Sequence, residues 1–452
     1  MAKFQARVED RSWRLLAVAV ASLALVAWAS SAFAGWTITA RNSVDLSDGP
    51  LSNIRELSGV TYIGQQAGGL ERFAAIQDEN RRIVIFEVSF AANGSISSAT
   101  AVSDRIITGG SDFEGIAYTG PARNTVFVSE ENTPTIREFS LSGGPQMQEI
   151  VLPDVFWNNR DNRGLESLTR SLDGSTMWTA NEEALTVDGP ASSQTAGTVV
   201  RLQQMTDDGG NVSFGPQYAY LTDPIHAGPS PNRNGVPDLV MLPDDTLLVM
   251  ERSRNGGPQR HVIKIYEANY SDATDVSQPP LDDGLIGRTY TTVDKRLLWT
   301  SQFGGGFDPE FNVEGIGLGP RLANGNWVLL GVADNAGSGG NPIVSWELSL
   351  TGCAIAGDFN CNGSVDDADY TLWKNLYGST GMNLAADGNG DGIVDAADYT
   401  IWRNAGALPA EAAAAHVGSA VVPEPAAIVS VSVAVALVAA LIRKRRGWRG
   451  RG

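Results

Sequence analysis

The sequence predicts an all-β protein, a β-propeller of five or six blades. A small all-α module built on two acid-rich loops and a C-terminal hydrophobic helix follow it. Three observations carry this prediction. Between residues 36 and 350, short runs rich in Val, Ile, Phe and Thr are separated by Gly, Asn, Asp and Pro, with no long helical period. A strand-pair motif recurs five times in that stretch. Beyond it one phrase is written twice, DFNCNGSVDDADYTLWKN (Asp358–Asn375) and DGNGDGIVDAADYTIWRN (Asp387–Asn404).

The chain opens with Lys3, Arg7, Arg11 and Arg14, then the apolar run Leu15–Trp28 and the small-residue site AFA (Ala32–Ala34). That order is the pattern of a secretory signal over 1–34, cleaved before Gly35.

The repeats occupy 36–350. One motif reads ELSGV (Glu56–Val60), FEGIAY (Phe113–Tyr118), LESL (Leu165–Leu168), PDLVML (Pro237–Leu242) and VEGIGLG (Val313–Gly319). Each is followed by an apolar strand with a polar end: FAAIQDEN, VFVSEEN, MWTANEE, LLVMERS and VLLGVADN. A third, alternating strand completes most copies. Such units bury their faces against their neighbours, as propeller blades do. The fifth copy lacks a fourth strand, and WTITAR (Trp36–Arg41) is expected to supply it. The longer spacings after Glu166 or Asp238 leave room for a degenerate sixth blade.

First strands of blades line a central shaft, so Glu56, Glu114, Glu166, Asp238 and Glu314 are expected there. The strand ends add Asp78, Glu130, Glu182, Glu251 and Asp334. Converging carboxylates need a cation between them, or some of them hold protons. Glu114, Glu166, Glu314 and Asp334 are the candidate catalytic residues. Arg163 and Arg252, with Arg233 nearby, are candidates for an anionic substrate. The competing role for each carboxylate is a hydrogen bond to neighbouring backbone that holds blades together. No Arg-His-Gly motif or GxSxG elbow occurs, and His226, His261 and His416 are the only histidines.

RGLESL (Arg163–Leu168) with MWTANEE, and NVEGIGLGPRLANGNWVLLGVADN (Asn312–Asn335), resemble the esterase-like phytase family. The resemblance implies a β-propeller that hydrolyses phosphate esters such as phytate, assisted by Ca²⁺ in the channel.

In the duplicated phrase, oxygen-bearing side chains fall at loop positions 1, 3, 5, 9 and 12. They are Asp358, Asn360, Asn362, Asp366 and Asp369, then Asp387, Asn389, Asp391, Asp395 and Asp398. Gly363 and Gly392 stand where a Ca²⁺ loop turns sharply, and Ser364 and Ile393 offer backbone carbonyls at position 7. Each loop feeds a helix with a Tyr/Trp face, so cation and fold are coupled. The pair, over 354–406, resembles a type I dockerin, which implies two Ca²⁺ ions and a cohesin-like partner. It departs from cellulosomal dockerins at positions 10 and 11, which hold Asp367-Ala368 and Ala396-Ala397. In an exported chain Cys353 and Cys361 are expected to form a disulfide.

An Ala-rich tether (407–421) leads to VPEP (Val422–Pro425), the apolar run Ala426–Ile442 and the basic end RKRRGWRGRG. This resembles the PEP-CTERM sorting signal, over 422–452 with a transmembrane helix at 426–442. It implies processing by an exosortase and delivery to the surface, outer membrane or matrix of a Gram-negative bacterium. The chain's net charge is −18. Setting aside a +2 leader and a +6 tail leaves −26 on the rest, which repels nucleic acid and attracts divalent cations. The expected function is an exported, Ca²⁺-dependent phosphoric ester hydrolase docked through its dockerin. The alternatives are a non-catalytic ligand- or carbohydrate-binding propeller and a propeller lactonase or esterase.

Overall fold

Alternating apolar strands joined by tight turns fold into five antiparallel sheets around one axis. The computed structural model describes residues 35–51, 54–66, 68–78, 80–257, 260–302, 311–334, 340–351, 356–360, 364–380, 386–389 and 393–406. The expected leader, tether, sorting tail and both cysteines lie outside these residues. Among the described residues, no helix is long and apolar enough to cross a membrane.

Strand β1 (Gly35–Asp45) precedes the first blade, which comprises β2 (Leu57–Gln65), β3 (Glu71–Gln77), β4 (Arg82–Phe90) and β5 (Ile96–Thr108). The second contains β6 (Phe113–Tyr118), β7 (Thr125–Glu130) and β8 (Thr135–Ser140). Then β9 (Gly144–Pro145) turns aside to pair in parallel with β5, and β10 (Gln148–Val151) completes the blade. The third is β11 (Thr169–Arg170), β12 (Thr176–Ala180), β13 (Val199–Asp208) and β14 (Asn211–Leu221). The fourth is β15 (Pro231–Met241), β16 (Leu247–Asn255), β17 (His261–Asn269) and β18 (Asp294–Thr300). The fifth is β19 (Asn312–Arg321), β20 (Trp327–Asp334) and β21 (Pro342–Thr351), with β1 as its outer strand.

The closing strand is therefore where WTITAR placed it: Trp36 stands opposite Leu350 and Ile38 opposite Leu348. This antiparallel seam joins the start of the propeller to its end. Trp36 is buried, and its indole N–H donates to Asp244 Oδ2 at 2.8 Å.

Five blades leave a narrow shaft, and the inner strands β2, β6, β11, β15 and β19 pack each against the next around it. The glycine after the recurring glutamate makes this possible. A Cβ on Gly115 would lie 2.4 Å from the Leu168 nitrogen, and one on Gly315 would lie 2.1 Å from the Ser58 carbonyl oxygen. Close backbone approach of this kind is what glycine in a strand interior marks.

The long spacings do not hold a sixth blade among the described residues. Residues 182–197 and 270–293 are loops over the third blade, with Val276, Leu281 and Leu285 in a satellite cluster of their own. They are tied down by Arg201, which is buried and fully engaged. It pairs with both oxygens of Asp188 (2.7 and 2.8 Å) and donates to Gln217 Oε1 and to the carbonyls of Val276 and Leu281.

Two helices follow the propeller, α1 (Asp367–Leu376) and α2 (Ala396–Gly406). Asp366 caps α1, accepting from the Ala368 N–H at 2.8 Å, and Asp395 does the same for Ala397 at 2.7 Å. Asn375 of α1 donates to the Asp173 carbonyl in the β11–β12 turn.

Candidate active site at the mouth of the shaft

Inner strands begin, and second strands end, at the same rim of the shaft. Phe113 stands opposite Glu130, Leu165 opposite Asn181, Gly235 opposite Arg252 and Asn312 opposite Asp334. The Asp173 turn lies at the other end of its blade, so the contact with α1 leaves this mouth clear.

Glu114, Glu131, Glu166, Glu182 and Arg252 are all buried here. Arg252 Nη2 donates to Glu182 Oε1 at 2.9 Å and Nη1 donates to Glu314 Oε1, linking blades three, four and five. Arg233 pairs with the other Glu182 oxygen at 3.0 Å. Asn312 donates to Glu314 at 2.7 Å and to Asp334 at 3.5 Å. Gly235 makes room for Glu182, whose Cγ would lie 2.7 Å from a Cβ at that position.

On the other side of the mouth Glu114, Glu131 and Glu166 make no ion pair among the described residues. Burial pushes the Glu114 and Glu166 carboxyls well above the usual range. Asp78, Glu314 and Glu131 add to it at Glu114 against a hydrogen bond from Ser58, and Glu114, Glu182 and Glu131 add to it at Glu166 against Arg252. Glu131 is pushed up to about 7, chiefly by burial, with Glu182 and Asp112 adding while Glu166 and Arg233 oppose. It shares a hydrogen bond with Glu166, and its Oε1 is buried with no hydrogen-bond partner. Glu314 is also raised, by burial first, against the pull of Arg252. Burial alone would lower the Arg252 guanidinium, but Glu314, Glu182 and Glu166 outweigh it and hold the charge in place.

The structure thus brings Glu114, Glu166, Glu314 and Asp334 to one mouth. Arg252 lies among the carboxylates, so part of their neutralisation is a guanidinium and its hydrogen bonds face inward. Arg163 is paired with Glu183 at 2.8 Å, beside the cluster. Asp238 takes the alternative role. Its carboxylate accepts from the Ile316 N–H at 2.7 Å and the Leu239 N–H at 2.8 Å, which staples the inner strands of blades four and five.

Glu251 faces the interface with blade three, where Tyr220, Asn234 and Lys295 hold it. Glu130 turns away too, accepting from Thr135 at 2.7 Å and Arg137 at 2.8 Å. Its neighbour Glu131 is the one in the mouth. Two acids in a row at a strand end signal that one faces inward, but they do not show which.

The paired loops are framed alike. Asp369 accepts from the Asn360 N–H at 3.0 Å and the Asp366 N–H at 2.9 Å. Asp398 accepts from Gly388 and Asn389 at 2.9 and 3.2 Å and from Asp395 at 2.8 Å. Position 12 thus folds each loop back on positions 3 and 9. Asp358 and Asn360 are buried in the first loop, and Asp387, Asn389, Ser364 and Ile393 take their places along the two backbones. Asn362 and Asp391 lie outside the described residues. Hard carboxylate and carbonyl oxygens at alternate positions are a donor set that suits Ca²⁺.

The helices brace the opposite loops. Trp373 donates its indole N–H to the Asp395 carbonyl, and Trp402 donates to the Asp366 carbonyl, both at 2.8 Å. Tyr370, Trp373, Tyr399 and Trp402 pack as one aromatic group between them.

Comparison with known families gives two matches. Residues 52–337 match the phytase-like family, described as the esterase-like activity of phytase. Residues 356–405 match the dockerin type I domain, a module that generally binds calcium and docks to cohesin modules. No curated protein matches the chain. Among solved structures, the Coprinopsis cinerea GH62 α-L-arabinofuranosidase catalytic domain is 13% identical, covering 70% of this chain and 97% of its own, with a TM-score of 0.35. The α-L-arabinofuranosidase of Podospora anserina in complex with cellotriose is 9% identical, with coverages of 69% and 96% and a TM-score of 0.36. The WD40 domain of Toxoplasma gondii coronin is 12% identical, with coverages of 70% and 87% and a TM-score of 0.30. Similarities this low carry no argument about function.

Proposed function

Because the chain belongs to the phytase-like family, we propose that the mouth of its shaft hydrolyses phosphate monoesters with the help of a divalent cation, Ca²⁺. The observation that supports this most is the imbalance of charge. Glu114, Glu131 and Glu166 lie buried together, and one Glu131 oxygen has no hydrogen-bond partner. Converging hard oxygens with too few guanidinium groups suit a divalent cation. Among the described residues no three acidic side chains stand ready as its ligands, so Glu114, Glu131 and Glu166 would have to close on the ion to hold it. When bound, the ion supplies Lewis-acid polarisation of the phosphoryl group.

The chain's own groups do the rest. Glu314 is more open than Glu114, Glu131, Glu166 and Glu182, with a side chain 16% exposed, and Arg252 and Asn312 fix its position. It is placed to accept a proton from an attacking water. Asp334, across from Asn312, holds that amide in its orientation. Arg252 and Arg233 pair with the two oxygens of Glu182 and direct it away from the substrate space. Burial of the whole group excludes bulk water and strengthens each of these interactions.

We further propose that the dockerin carries two Ca²⁺ ions through the residues named above and docks the propeller to a cohesin-like module of an extracellular or cell-surface assembly. Export through the 1–34 leader and removal of the 422–452 tail by an exosortase complete this reading.

Phosphate release from phytate and from p-nitrophenyl phosphate, with Ca²⁺ and with EDTA, tests it. Release that EDTA and Glu166→Gln both abolish is expected. Turnover of acyl esters or lactones with silent phosphate assays would move the reading to an esterase. No turnover of any ester would leave a binding propeller.

A further inference from the structure

Arg233 and Arg254 face each other directly across β15 and β16, and Arg254 stands opposite His261 across β16 and β17. Side chains at directly opposed positions lie on the same face, with Cβ atoms about 5 Å apart, and like charges placed so are destabilising. Arg260 stands opposite Asn255, whose N–H its carbonyl accepts at 2.9 Å, and is near enough for its charge to act on Arg254.

The arginines of this region divide into two groups. Arg233 and Arg252 are taken by Glu182 and Glu314. Arg254 is exposed and has no ion pair or hydrogen-bonded carboxylate among the described residues. Partial burial first, then its neighbours Arg233, Arg252 and Arg260, hold its guanidinium below the usual range, against the pull of Glu314. It lies two residues beyond Arg252 on the same face of β16, about 7 Å outward from the carboxylate cluster at the rise of an extended strand. In a protein with a strong excess of acid, a carboxylate here would have relieved the repulsion at little cost.

We propose that Arg254, with Arg233, forms an anion subsite on the fourth-blade side of the mouth, which takes a second phosphate or carboxylate group of the ester being cleaved. Arginine presents a planar fork of donors that matches either oxyanion bidentately. An ester with two anionic groups would span from the carboxylate cluster to this subsite, while one with a single anionic group would leave it unused. The assignment to the ester rests on the reading of the mouth given above. The anion subsite itself does not.

Two measurements on the full chain separate these. In the first, inorganic phosphate is added to the metal-free protein at constant ionic strength and Tm is followed. Phosphate should raise Tm of the wild type, and Arg254→Glu should lose that rise while having a higher Tm without phosphate, since the repulsion is gone. An equal rise in both proteins, or none in the wild type, would overturn the subsite. In the second, kcat/KM is compared for an ester with two anionic groups, fructose 1,6-bisphosphate, and one with a single such group, p-nitrophenyl phosphate. Arg254→Ala should lower the ratio about tenfold and Arg254→Lys should restore part of it. An unchanged ratio would remove the subsite from substrate recognition. Loss of the phosphate response in a protein that cleaves neither ester would keep the subsite and reject the hydrolase reading.

Discussion

Arg252 and Glu182 are 70 residues apart in the chain and 2.9 Å apart in the fold, closed off from water between blades three and four. The same guanidinium reaches Glu314 of blade five. One side chain therefore serves three blades and two carboxylates.

Removing it should be costly. Arg252→Met leaves Glu182 and Glu314 buried with less compensation, and breaking such a pair by taking one partner costs about 3–5 kcal/mol. Denaturant unfolding of the variant measures this. A loss below about 1 kcal/mol would mean that the carboxylates are already neutral.

The inner ring offers a steric test. Gly115→Ala puts a methyl group 2.4 Å from the Leu168 backbone nitrogen, and backbone cannot turn aside as a side chain can. Overpacking of this kind costs about 1–3 kcal/mol. The variant's Tm should fall, and an unchanged Tm would mean that the inner strands are further apart.

The raised Glu131 carboxyl sets a pH dependence. Burial raises it to about 7 in the folded chain from an ordinary 4.5, so the folded state binds the proton more tightly. That contribution to stability is complete below about pH 4.5 and is lost as pH rises through about 7. Stability of the metal-free protein should therefore fall across this window, and Glu131→Gln should flatten the fall. A stability that rises over the same range in the wild type, with an unchanged slope in the variant, would contradict the buried pair.

The crossed indoles of the dockerin give a fourth prediction. Trp373→Phe and Trp402→Phe each remove one hydrogen bond to a loop carbonyl while keeping the aromatic packing. Each should cost about 1 kcal/mol and weaken Ca²⁺ binding in the loop that carries the carbonyl. Calorimetric Ca²⁺ titration of the full chain reads this; wild-type affinity in both variants would show that the brace does not support the loops.

Much of the fold was legible because strands and turns follow local rules. The five inner motifs, the closing strand at Trp36 and the capped helices after each acid-rich loop all follow from period and turn chemistry within a few residues. The long spacing after Asp238, which left room for a sixth blade, holds Val276, Leu281 and Leu285. They instead cover Arg201, and sequence alone does not distinguish a strand face from a lid. The site was legible only in part. The glutamates of FEGIAY, LESL and VEGIGLG announce the mouth, yet the choice between Glu130 and Glu131 depends on strand register. Which arginines are paired depends on ring closure between blades far apart in sequence.

The central claim is that buried carboxylates at the mouth hold a divalent cation. The most direct measurement is the number of Ca²⁺ ions bound by the full chain and by its Glu166→Gln variant, counted by calorimetry. Three ions in the wild type and two in the variant are expected, the remaining pair belonging to the dockerin loops. Two ions in both proteins would contradict the claim.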